Sequence, residues 1–230
     1  MHTRIRGKKL YNIIFIIVCL ISTKPVYSQT KTTNEFDYKI GFDVVRNDEV
    51  VGTHVTTFLN EGTDLIVVSK MNLKIKILGI PIYSFDYNSE EKWSRGVLLN
   101  LDVNVKDGAD QIKVSASMGK KGLKVISPTG TFWVSGPIIT TNHWNSDVLT
   151  RDRVLNTLTG RIDQVKLVDR GEESIPATGG TILATRYDYT GELNGTSVWY
   201  DSNGRWSRLK FKARDGSTVE YICNTCDAGL

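Results

Sequence analysis

Three groups of residues in this 230-residue chain have types and spacing that could do chemistry. His143 stands beside Trp144, Asn145 and Asp147, and as a general base it would be oriented by Asp147 or by Glu90. No Gly-x-Ser-x-Gly turn and no reactive cysteine accompanies it, so the stronger reading is that Asn145 or Ser146 caps a short helix while His143 and Trp144 anchor an irregular crossing. Glu90 and Glu91 could supply half of a glycosidase-type carboxylate pair, with Asp86 or Asp102 as partner. Such a pair is defined by spatial separation, and a salt bridge or a solvated turn explains the same residues. His54 lies among threonines in an alternating segment and reads as a surface residue.

Cys223 and Cys226 form a Cys-x-x-Cys pair close to the C-terminus. A redox pair needs its first cysteine at a helix N-terminus, where the thiol pKa falls, and no such helix follows here. A small disulfide clipping the tail, with little effect on global stability, is the expected state in an oxidising compartment. Neither the thiol pair nor the scattered histidines assemble a zinc set, so no metal and no cofactor is expected. Trp206 shares parity with Arg208, Lys210 and Lys212, whereas Leu209, Phe211 and Ala213 take the other face. It is therefore expected to point to the charged face, against Trp199 or Tyr200 or against a stacked ligand.

The elements that must position these residues are strands. Phe36, Tyr38, Ile40, Phe42 and Val44 alternate with polar residues, which is the pattern of a half-buried strand. Similar alternation predicts strands over 50–59, 65–77, 83–87, 97–105, 112–118, 123–127, 130–134, 161–168, 181–189, 197–201, 206–213 and 218–223. Asp107-Gly108, Asn194-Gly195, Asn203-Gly204 and Asp215-Gly216 supply hairpin turns between them. Only residues 137–159 break the pattern, where Val148, Leu149, Leu155 and Leu158 recur near helical spacing and predict one short amphipathic helix over 145–158. More than ten apolar strand faces cannot be covered by one short helix. The fold class is therefore mainly β, an antiparallel meander curled into a half-barrel or barrel with one short helix.

The N-terminus has the pattern of an export signal. Arg4, Arg6, Lys8 and Lys9 precede an apolar run over 10–21, too short to span a bilayer, and Val26-Tyr27-Ser28 favours cleavage before Gln29. Val18 before Cys19 is wrong for lipidation, so Cys19 is expected to leave with the signal. Removing residues 1–28 takes away five basic residues and no acid, leaving 24 basic against 25 acidic, or −1. The formal charge of +4 is thus targeting, and no nucleic-acid partner is expected. Residues 29–230 are read as a single exported β domain, periplasmic or extracellular, with no transmembrane segment in the mature chain.

Several short runs carry a resemblance. Glu90-x-x-Trp93-x-x-Gly96-x-Leu98, Thr140-x-x-His143-Trp144-Asn145, Leu155-Asn156 with Gly160, Val198-Trp199-Tyr200-Asp201, and Asp215-Gly216 with Tyr221 together resemble a family of exported bacterial proteins that carries a domain-of-unknown-function label. More distantly, the meander with a short helix is similar to the lipoprotein-carrier and lipoprotein-sorting superfamily, whose curved sheet presents a hydrophobic concave face. The nearer resemblance implies no catalytic residue.

The leading functional expectation is a non-catalytic binding protein holding an apolar small molecule, a lipid or a segment of an envelope protein in the curved sheet. Phe42, Leu73, Phe85, Leu101, Leu149 and Trp206 would line its cleft, near Val148 and Leu155. A hydrolase centred on His143 and Glu90 is the alternative, and an envelope scaffold with a fully packed interior is the third reading.

Overall fold

The computed structural model describes residues 38–226. The expected export signal, Cys19 and Phe36 lie outside the described residues. Period-two alternation resolves into fifteen strands: β1 (Tyr38–Arg46), β2 (Glu49–Glu61), β3 (Asp64–Ile77), β4 (Ile80–Ser94), β5 (Val97–Asp107), β6 (Asp110–Gly119), β7 (Gly122–Ser127), β8 (Gly130–Val134), β9 (Ile139–Thr140), β10 (Arg153–Leu155), β11 (Ile162–Ala177), β12 (Gly180–Gly191), β13 (Ser197–Asp201), β14 (Trp206–Lys212) and β15 (Thr218–Thr225). They form one sheet in the order β8-β7-β6-β5-β4-β3-β2-β1-β15-β14-β13-β12-β11-β10-β9. Two meanders are thus joined where the first strand pairs antiparallel with the last, Val44 opposite Tyr221.

The sheet curls because every strand has one apolar face and burial of that face drives the faces together. Phe42, Val67, Leu101, Leu123, Val154 and Val198 point inward and are fully buried, whereas Asn100, Asp102, Asn104 and Lys106 point outward from β5. An apolar inside with a polar outside is the reverse of a membrane-spanning barrel. Among the described residues no helix is long and apolar enough to cross a membrane.

Side-chain packing closes the seam between the two ends of the sheet. Gly160, after β10, has φ of 69°, and a Cβ placed there would lie 2.2 Å from the Cβ of Ser127 on β7. Glycine is required both for the backbone and for the close approach. Across the same seam Arg153 donates from Nη2 to the Ser135 carbonyl at 2.6 Å.

A second closure is smaller. The pairing of β11 with β12 shifts register between Asp169 and Glu172, and β11 bends there until Ala177 pairs with Cys223 of β15. The bent tip covers a satellite core of Ile175, Ala184 and Trp199. Arg208 and Arg186 lie 4.9 and 5.5 Å from the Trp199 ring centroid, while its indole N–H donates to Glu173.

The helix expected over 145–158 is corrected by the structure. Only a 3-10 turn forms, at Ser146–Thr150, and residues 153–155 are strand instead. The helical spacing of Val148, Leu149 and Leu155 is produced by a turn followed by a strand that buries Val154 and Leu155 and runs parallel to β9. The cap does form, with Asn145 Oδ1 accepting from the Asp147 N–H at 3.0 Å.

Candidate functional site

β4 runs far beyond the 83–87 segment and carries Glu90 and Glu91 mid-strand. Alternation puts Glu90 on the exposed face and Glu91 inside, in line with Tyr87, Ser89 and Trp93. Glu91 is fully buried. Its Oε1 accepts from the Thr140 hydroxyl at 2.7 Å and the Asn142 amide at 2.6 Å, and its Oε2 accepts from the indole N–H groups of Trp93 at 2.8 Å and Trp144 at 2.7 Å. Asn142 also donates to Ser89 Oγ and accepts from the Tyr87 hydroxyl.

Thr140 ends β9 and residues 141–144 continue irregularly against the inner face of β4, held there by hydrogen bonds to this carboxylate. Indole and amide N–H groups can only donate, so the set fits an ionised carboxylate. Burial nonetheless holds the Glu91 carboxyl above its ordinary range, against the pull of Thr140, Trp93, Trp144 and Asn142. With both oxygens engaged twice, Glu91 has no acceptor capacity left for a substrate proton.

A histidine pair lies beside it. His54, expected at the surface, is 5 % exposed, because β2 places it on the inner face with Thr56 and Phe58. Its Nε2 is 3.2 Å from Thr56 Oγ1, which lies 2.9 Å from Ser69 Oγ, while its Nδ1 has no hydrogen-bond partner among the described residues. His143, at φ of 61°, sets Nδ1 3.2 Å from the Tyr189 hydroxyl, and its carbonyl accepts from the Tyr200 hydroxyl at 2.8 Å. Trp206 packs between the two imidazoles, 5.3 Å from His54 and 5.8 Å from His143, and 4.4 Å from Phe42. Burial pushes His54 down to about 3, with His143 adding to the shift, and pushes His143 down to about 4. Both rings are neutral at neutral pH.

Trp206 therefore faces the core, in correction of the charged face expected from parity. The pairing of β13 with β14 skips Ser207, Trp199 lying opposite Arg208 and Tyr200 opposite Trp206. This bulge reverses the facing of every residue before it. Its indole N–H donates to the Arg208 carbonyl at 3.0 Å.

The six residues expected to line a ligand cleft come together in one core: Phe42, Leu101 and Trp206 fully buried, Leu73 8 % exposed, Phe85 and Leu149 partly buried against them. Val148 and Leu155 belong to that same core. Two surface depressions lie elsewhere. One of about 410 Å³ sits under the β11–β12 tip, lined by Ala177, Ile182 and Cys223 among others, and one of about 310 Å³ lies on the outer face by Asp86, Asn104 and Lys106. Cys223 and Cys226 are disulfide-bonded with Cα atoms 5.9 Å apart. Among the described residues no group of three or more His, Cys, Asp or Glu side chains could hold a metal ion.

Glu90 and His143 do not come together, because Glu90 points outward from β4 while His143 packs against Tyr189 and Trp206. Glu91, and not Glu90, occupies the interior. The alternation of Tyr83, Phe85 and Tyr87 continues through Ser89 and Glu91 to Trp93, and following that parity past the polar side chains places a carboxylate inside.

The fold and this interior define a barrel-like β domain whose two meanders are joined through β1 and β15 and braced by an internal carboxylate. Residues 42–224 match the domain of unknown function DUF6134, and the chain belongs to that family. No curated protein matches it. Among solved structures it is similar to a beta-barrel-like protein of domain of unknown function DUF1849 from Brucella abortus, at 12% identity and a TM-score of 0.55, over 82% of this chain and 97% of that one.

Proposed function

We propose that residues 29–230 form an exported, non-catalytic binding or scaffold protein of the periplasm or cell exterior, whose barrel is a filled framework and whose outer elements engage its partners. One observation carries this reading: the space in which a guest was expected is occupied by the chain's own side chains, with Phe42, Leu101 and Trp206 buried and the Glu91 carboxylate saturated by four donors. Close-packed interiors admit little extra volume. The lipoprotein-carrier analogy implies an open concave face, and the buried lining residues argue against carrying it over. The hydrolase alternative is disfavoured by Glu90 and His143 facing different sides of the sheet and by the exhausted acceptors of Glu91.

An environment-sensitive fluorescent fatty acid tests the filled interior. The expected result is no saturable binding to the folded protein. Stoichiometric binding that Leu101→Trp or Leu149→Trp weakens without unfolding the chain would restore the carrier reading.

A further inference from the structure

Four bulky apolar side chains are exposed within six residues at the β3–β4 turn: Ile77 at 58 %, Leu78 at 98 %, Ile80 at 65 % and Ile82 at 57 %. The tip that carries them runs past the ladders with the neighbouring strands. β3 last pairs with β2 at Leu73 and β4 first pairs with β5 at Phe85, yet β3 and β4 stay paired with each other out to Ile77 and Ile80. Four residues beyond Leu73 at about 3.3 Å each project the tip roughly 13 Å past the ladder with β2.

The turn itself is built at a conformational cost. Leu78 has φ of 51° and Gly79 φ of 81°, a two-residue turn whose first position ordinarily favours Asn, Asp or Gly. A leucine there places a large apolar side chain at the outermost point of the hairpin, and no described residue covers it.

Charge says what kind of surface this tip fits. Residues 65–85 contain Lys70, Lys74 and Lys76, all exposed, and no acidic residue. The carboxylates at the base of the hairpin are engaged, Asp86 by Asn72 and Asp107 by the Tyr83 hydroxyl and Arg214. Asp48 in the β1–β2 turn, Glu49 at the start of β2 and Asp110 at the start of β6 belong to the flanking hairpins, outside the projecting segment. An apolar tip above a lysine collar matches the depth profile of a bilayer interface, with apolar side chains below the headgroups and lysine ammonium groups among anionic phosphates. The backbone of the tip is already hydrogen-bonded across the hairpin, so entering that interface leaves few polar groups unpaired.

We propose that the β3–β4 hairpin is a bilayer-docking element that inserts Ile77, Leu78, Ile80 and Ile82 into the interface of a membrane with anionic headgroups, Lys74 and Lys76 resting at headgroup level. The proposal builds on the reading that outer elements do the binding, and names the surface they meet.

The test uses the exported form of the protein carrying Leu78→Cys labelled with an environment-sensitive fluorophore, the two other thiols of the domain being tied in the Cys223–Cys226 disulfide. With phosphatidylcholine vesicles containing phosphatidylglycerol, the emission shifts to the blue and brightens several-fold. Raised ionic strength reverses the effect, and Ile77→Ser/Ile80→Ser weakens partitioning about tenfold. The exposed pair Lys74→Gln/Lys76→Gln, which perturbs no core contact, removes the preference for phosphatidylglycerol. Three results would each overturn the proposal: a silent label, an equal response on phosphatidylcholine alone, or a concentration-dependent response without vesicles, which would identify a second copy of the chain as the occupant. A saturable fatty-acid site inside the barrel would defeat the filled-framework reading and leave the hairpin result standing. A silent label would do the reverse.

Discussion

Glu91→Gln is expected to destabilise the domain by about 1–3 kcal/mol, although it changes one atom and no shape. Glutamine replaces an acceptor oxygen with an amide that donates, so either the indole pair of Trp93 and Trp144 or the Asn142 amide faces a donor instead of an acceptor, the Thr140 hydroxyl being able to turn and accept. Each stranded donor costs about 1–3 kcal/mol when buried. The neighbouring Glu90→Gln, on the exposed face, should stay within about 0.5 kcal/mol of the parent. Denaturant unfolding of the two variants side by side reads the difference. Near-equal stabilities would mean that the carboxylate does not hold residues 140–144 against β4, and its burial would then need a functional explanation.

Acid should unfold the protein through its histidines. His54 and His143 are held at about 3 and about 4 in the folded state, below the ordinary value of 6.5. A depressed folded-state pKa gives stability that is complete above the unfolded pKa and is lost as pH falls through the interval between the two. Stability is therefore expected to decline as pH drops from about 6.5 toward 4, by on the order of 2–3 kcal/mol for each histidine. Glu91 acts with the opposite sign, since its folded-state pKa is raised, and its contribution grows as pH falls into the carboxylate range. The groups around the two rings are aromatic or hydroxylic, Trp206, Tyr221, Tyr189 and Thr56, and none of these offers an anion to hold an imidazolium. His54→Phe, fitting an already aromatic site, should remove about one proton from the slope. A variant with the parent's pH dependence would place the acid sensitivity elsewhere.

The strands were legible because alternation is a direct print of one buried and one solvated face, and β1, β3 and β5 fall within a few residues of where that alternation puts them. What was not legible has physical causes that composition and local spacing do not carry. Ser207 is an extra residue only relative to its partner strand, so the inward turn of Trp206 appears in the pairing and not in the parity. The β1–β15 junction and the Ala177–Cys223 contact are long-range pairings between segments of similar pattern. Residues 146–155 carried helical spacing, but two of the apolar positions belong to a turn and the next to a strand whose partners are β9 and β11. His54 and Glu91 followed inward parity in the sequence, and their polarity hid it. Both are buried because β2, β4 and the segment after β9 supply hydrogen-bond partners that no single segment contains.

Native mass spectrometry of the protein purified from its own compartment shows whether this barrel fills its own interior. The expected result is a single species with the mass of residues 29–230, two hydrogens fewer for the Cys223–Cys226 disulfide, and no bound molecule. A species carrying a stoichiometric lipid or other apolar adduct that survives desalting and is released only on unfolding would contradict it.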